Sequence, residues 1–180
     1  MPPDEPFVRH LPPAELAEQL RGPLQARYGA CERSTGTAHS AEVWFELLVT
    51  AIQAEAHTLA EAIALAEFAL AEAPSALTPE AAAALAGPAT ERVLRRFGDT
   101  VEAAALATPA SANAWLSELR QHFRESEGLR GREVMLPLRA ALTGTLVGPC
   151  LGNVTTLLGV TRCRQRVART LDRILTGAPL

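Results

Sequence analysis

Helix boundaries are written along this chain almost from end to end. Pro12-Pro13 precede leucines at Leu16, Leu20 and Leu24, an i, i+4 spacing that places all three on one helical face. Gly22-Pro23 inside that run is a break signal. Over residues 42–57 the apolar positions Trp44, Leu47, Leu48, Ala51 and Ile52 again recur with helical period. Thr58 followed three residues later by Glu61 is a capping box, with Leu59, Ile63 and Phe68 as the inward face and Pro74 as the stop. Thr78-Pro79-Glu80 pairs a threonine cap with proline in the first turn, and Gly87-Pro88 is a stop. Asp99 and Glu102 offer a further capping box, closed before Pro109. Ser111 is placed to cap a helix carrying Trp115, Leu119, His122 and Phe123, which Gly128 closes. Pro137 is expected to open a short helix ending at Gly144, and Gly159 is a second glycine stop after Leu157-Leu158. In the last helix Cys163, Val167, Leu171 and Ile174 form the apolar stripe, with Arg162, Arg166, Arg169 and Arg173 largely off it.

Composition agrees with this punctuation. Hydrophobic residues make up 48% of the chain and aromatics only 4%, because the apolar content is mostly Ala and Leu. Both favour helices, and strand formers are sparse. The expectation is an all-α protein of two packed helical subdomains, residues 1–75 and 76–180, divided at the proline-bearing segment 73–79. At 180 residues it is long enough to bury a core. The first six residues are acidic and proline-rich, unlike a signal peptide, and the weakly polar run 140–151 is too short to span a bilayer. The reading is a cytoplasmic protein with no membrane partner.

No catalytic or metal constellation stands out. Cys31, Cys150 and Cys163 are odd in number and form no Cys-x-x-Cys pair, so they read as free thiols. His10, His39, His57 and His122 are scattered without metal-ligand spacing. Of the aspartates, Asp4 lies near the chain start, while Asp99 and Asp172 read as a cap and a helix surface. There is no phosphate-binding glycine loop and no nucleophile elbow. No cofactor and no metal are expected. Glu61, Glu67 and Glu72 read as a solvated acidic face.

Charge is distributed unevenly. The formal net charge of -3 argues against a simple nucleic-acid binder. From Arg120 onward, however, ten arginines stand against four acids, a net +6, while seven arginines stand against sixteen acids before it, a net -9. All 17 basic residues are arginine, whose planar fork suits phosphate and base edges.

Residues 130–171 carry the one specific motif. In order they hold Pro137-Leu-Arg139-Ala-Ala-Leu-Thr-Gly144, then Gly148-Pro149, then Leu157-Leu-Gly159 and the basic helix. This order resembles the C-terminal anticodon-binding region of bacterial glutamyl-tRNA synthetases, and in outline the resemblance runs from about Leu11 to Leu175. Trp115 stands where many members carry a helix-opening tryptophan. In that family two helical subdomains embrace the anticodon loop, whose flipped-out bases are read by arginine hydrogen bonds and apolar or stacking contacts. The resemblance implies base contact by Arg139, Pro149 and Leu151. Arg130, Arg132 and Arg162 are the accompanying phosphate candidates.

Two departures alter that expectation. The family's Arg-x-x-Thr-Leu reads Glu55-Ala-His-Thr58-Leu59 here, so an anion replaces a base-reading guanidinium. Losing such a contact removes about 1–3 kcal/mol of discrimination. Gly152 stands where the family often has a bulky residue. The synthetase's His-x-Gly-His element is not found, and a chain without lysine lacks the loop lysine that holds ATP phosphates. The resemblance therefore implies a non-catalytic, stand-alone paralogue that binds tRNA or another structured RNA with altered anticodon specificity. The alternative is an interaction module that has lost RNA binding and partners a protein such as a full-length synthetase, which the acidic first half favours.

Overall fold

The computed structural model describes residues 8–29 and 36–178. Cys31, Asp4 and the proline-rich start lie outside them. A 3-10 turn at Val8–His10 leads into α1 (Pro13–Tyr28), α2 (Ala41–Gln53), α3 (Leu59–Leu65), α4 (Glu67–Leu70), α5 (Pro79–Leu85), α6 (Thr90–Thr100), α7 (Pro109–Glu127), α8 (Gly131–Thr143) and α9 (Leu151–Thr176). The fold is all-helical, as expected, and no strand occurs among the described residues.

Helices α3 and α5 form where their caps predict. Thr58 Oγ1 accepts from Glu61 N at 3.1 Å, and Glu61 Oε2 accepts from His57 N at 2.7 Å, so two orphan amides at the start of α3 are satisfied. Thr78 Oγ1 accepts from Ala81 N at the start of α5, with Pro79 in the first turn. Leu16, Leu20 and Leu24 are fully buried on α1. Gly22-Pro23 does not break that helix, which runs on to Tyr28. Three buried leucines held against α2 outweigh one missing backbone hydrogen bond on a mostly exposed turn.

Three boundaries differ from the sequence expectation. Asp99 and Glu102 open nothing. Asp99 belongs to the last turn of α6, a helix whose buried Val93, Leu94 and Phe97 fix it against α8 and α9. Helix α7 starts two residues earlier than Ser111: Thr108 is the cap, Pro109 the first residue, and Ser111 the reciprocal partner in the capping box. Helix α8 does not start at Pro137 but at Gly131, where Arg130 N donates to the Glu133 carboxylate at 2.7 Å. Pro137 sits inside α8 with its ring buried. Packing of α8 against α5, α6 and α9 holds the helix through it.

The chain closes on α9, which contacts α2, α4, α6, α7 and α8. Gly159 divides α9 with φ 67° and ψ 172°. A Cβ there would lie 2.4 Å from Gly36 O, so only glycine fits both the backbone and the space. Beside the break, the buried Trp44 indole Nε1 donates to the Leu157 carbonyl at 2.8 Å. This single contact joins α2 to the middle of α9 across 113 residues of sequence.

Arginines of α9 finish the assembly by capping other helices. Arg162 donates through Nη1 to Ala69 O and through Nη2 to Ala71 O, both at 2.6 Å, at the end of α4. Arg164 donates to Gly98 O at 3.1 Å and Val101 O at 2.9 Å, at the end of α6. Arg166 donates to Leu142 O, at the end of α8, and to Ala71 O at 2.7 Å. Helix C-termini present unsatisfied carbonyls with negative partial charge, and a guanidinium fork answers both. Arg166 is thus only 2% exposed, a correction to its expected place off the buried stripe. Cys163 beside it is fully buried, and desolvation pushes its thiol up to about 12.

Candidate nucleic-acid interface

The family-like signature forms one continuous structure. Helix α8 ends at Gly144, which adopts φ 76°, and its N–H returns to Ala140 O. The loop 145–150 then turns back toward the helix that it left. Arg139, four residues from the end of α8, reaches across it. Its Nη1 donates to Pro149 O at 2.9 Å and Gly148 O at 3.4 Å. Burial pushes the Arg139 guanidinium down, while the Cys150 thiol and the Glu55 carboxylate oppose the shift. Nη2 and Nε make no hydrogen bond to the described residues. Arg139 therefore fastens the loop with one nitrogen and leaves other N–H donors uncommitted.

Beside this loop lies a cleft of about 500 Å³. Thr143, Thr145, Val147 and Pro149 line one wall; Glu55, Glu61, Leu65, Glu67 and Phe68 line the other; Pro74, Ser75 and Ala76 close the end. The three carboxylates are not equivalent. Glu61 is held by the His57 amide, which keeps its carboxyl below the usual range, and Glu67 accepts from Ser75 N at 3.1 Å. The Glu55 side chain accepts no hydrogen bond and forms no ion pair with the described residues. Arg92 and Arg95 pair with Glu127 at 2.8 Å and Glu91 at 2.9 Å, and the positive charge that Glu55 acts on is that of Arg139.

The remaining sequence candidates scatter. Pro149 lines the cleft, though mostly buried. Leu151 is 6% exposed at the first turn of α9, a packed position rather than an open stacking surface. Arg132 is exposed on α8 but lines a different depression, with Glu133 and Leu136. Arg130 joins Arg120 and Arg124 at the far end of α8. Nine residues separate it from Arg139, roughly 13 Å along the axis. Arg162 spends both terminal nitrogens on Ala69 and Ala71.

Two features were not read from the sequence. The space over Gly152 is occupied by Asn113 of α7: a Cβ at 152 would lie 2.4 Å from Asn113 Oδ1. Nothing local links positions that far apart in sequence. The second feature is that Glu61 and Glu67 both border the cleft; Glu61 stays exposed, as its reading on a solvated face requires, and Glu67 is half-buried. Their capping roles were legible in part, since Glu61 stands three residues after Thr58.

Among the described residues no helix is long and apolar enough to cross a membrane, and no three His, Cys, Asp or Glu side chains are placed to hold a metal ion. Known proteins give the wider context. The family described as "Anticodon binding domain" matches residues 14–171. Glutamate–tRNA ligase 2 of Syntrophus aciditrophicus is 28% identical over 166 residues, 92% of this chain and 32% of that protein. Glutamate–tRNA ligase 1 of Methylorubrum extorquens is 34% identical over 171 residues, 93% of this chain and 34% of that protein. The chain thus spans about a third of the length of these curated relatives. A crystal structure of a glutamate tRNA ligase from Elizabethkingia meningosepticum superposes with a TM-score of 0.73 at 14% identity, over 92% of this chain and 30% of that one, a likeness of fold. With its helical architecture, its Arg139-fastened loop and a match over nearly all its length, this chain belongs to the anticodon-binding domain family of the glutamate–tRNA ligases.

Proposed function

We propose that the chain binds tRNA, or an RNA of similar fold, without catalysing aminoacylation, and that it takes an unpaired base into the cleft beside Arg139. One observation carries the reading: a formed cleft adjoins the loop whose 148–149 carbonyls Arg139 holds with a single nitrogen, Arg139 itself lying behind the cleft's lining. An unstacked base needs an apolar slot with a few fixed polar groups, and Leu65, Phe68, Val147 and Pro149 supply the walls. The unpaired Glu55 changes what that slot prefers. A carboxylate accepts, so it selects bases that present N–H donors, as the exocyclic amino group of cytosine does, and disfavours a base edge that offers only acceptors. Arg130, just before α8, and Arg132, exposed on it, are the accompanying phosphate contacts. A cytoplasmic setting, where tRNA is met, goes with this reading.

Gel-shift titration of total tRNA at two salt concentrations tests it, with Arg139→Ala alongside. Phosphate-driven binding weakens steeply with salt, and the variant is expected to lose at least tenfold in affinity. Absence of binding by the unaltered protein at low salt refutes the proposal.

A second reading has its own support. Three carboxylates around one cleft repel a polyanion, and the chain before Arg120 carries a net -9. On this reading the scaffold serves a protein partner such as a full-length synthetase, and its binding is insensitive to salt where the contact is apolar.

A further inference from the structure

The strap of residues 73–77 has a second flank. On the side away from the Arg139 cleft, a cavity of about 630 Å³ lies between the strap and α9. Arg166, Arg169 and Arg173 line it, together with Thr170 and the single carboxylate of Asp172. Positions 166, 169 and 173 follow i, i+3, i+7 spacing, so their side chains rise from one face of the helix.

The charges there are unbalanced. Arg166 is 2% exposed and directs its two terminal nitrogens to the Leu142 and Ala71 carbonyls, while its Nε is buried without a hydrogen-bond partner. No carboxylate bonds it. Burial first, then the positive charges of Arg162 and Arg169, push its guanidinium down, and only Cys163 and Glu67 act in the other direction. Glu72 approaches Arg169 at 3.6 Å, but those side chains are 80% and 55% exposed, so water screens the pair. A buried cation bonded only to carbonyls, with Glu67 acting on it without a bond and two further guanidinium groups above it, is an arrangement that an anion relieves. Guanidinium forks match phosphate oxygens in particular.

We propose that this cavity binds a phosphate group, with Arg169 and Arg173 as its contacts and Arg166 as the buried charge beneath. The phosphate belongs either to an RNA backbone or to a free phosphate compound. Pro74, Ser75 and Ala76 line both this cavity and the Arg139 cleft, so a strand laid across the strap meets both. The phosphate site stands without that cleft being used.

Calorimetric titration with pyrophosphate, and tRNA binding over a salt series, test it on the whole chain. The expected result is saturable pyrophosphate binding that weakens at least tenfold in the Arg169→Ala/Arg173→Ala double variant. It should tighten in Asp172→Asn. If the phosphate is that of RNA, the slope of log K against log salt falls by about 2 in the double variant. If it is a free compound, the pyrophosphate response appears while that slope is unchanged. Neither response, in a double variant that melts at the unaltered temperature, overturns the proposal. Should the double variant melt early, Asp172→Asn decides alone, and unchanged affinity for both pyrophosphate and tRNA overturns it.

Discussion

On the proposed reading, Glu55 is the residue that sets base preference. By the resemblance it stands in place of a base-reading guanidinium, and it forms no ion pair with the described residues, although its charge acts on Arg139. Restoring the cation should therefore act on RNA binding and little on folding, because the side chain is exposed. Glu55→Arg is expected to tighten tRNA binding by about tenfold, equivalent to ~1.4 kcal/mol and within the range for one base contact. Its melting temperature should stay within a degree or two. Gel-shift titration and a thermal melt check the two halves separately; a stronger melt effect than binding effect would make Glu55 a structural residue. The substitution itself was legible in the sequence because the flanking Thr58-Leu59 fixes the register. Its surroundings were not. The cleft is made by segments 55–68, 74–78 and 143–149, and no periodicity reports which side chains of separate segments share a space.

Among the elements, α9 depends on its break. Gly159 is the point where a left-handed backbone, the Gly36 carbonyl and the Trp44 indole meet. Gly159→Ala should cost about 2 kcal/mol or more, since it adds a Cβ both to a positive φ and to a 2.4 Å approach. The check is a lower denaturant midpoint with an unchanged slope. The glycine stop after Leu157-Leu158 was visible in the sequence, as were the starts of α3 and α5, because a cap side chain and the amide that it serves are three residues apart. The boundaries that were misread share a cause. Pro137, Gly22-Pro23 and Asp99 carry strong local signals, and in each case packing against a distant helix decides otherwise. For the same reason α6 was missed: its apolar face, Val93, Leu94 and Phe97, is short, and its place is set by α8 and α9.

For the molecule as a whole, the arginine-rich end has more than one use. The count of basic residues suggested a phosphate-facing surface, yet Arg162, Arg164 and Arg166 cap helix ends. A chain without lysine suits this, because one fork spans two carbonyls where an ammonium meets them singly. Arg162→Lys separates the roles. It keeps the charge and loses one of two hydrogen bonds, so stability should fall by about 1 kcal/mol while tRNA affinity holds. A combined melt and gel shift measures both. Equal loss of affinity would return Arg162 to the RNA surface.

The same clamps bear on the order in which the protein is made. Arg162 and Arg164 reach back 91–93 and 63–66 residues to the carbonyls that they cap. During synthesis the ends of α4, α6 and α8 emerge well before α9, and until it arrives their carbonyls have only water. Early helices must therefore wait, loosely formed, for the last one. The packing of α4, α6 and α8 is completed only by α9, and a nascent chain stalled before Arg162 would be a chaperone substrate.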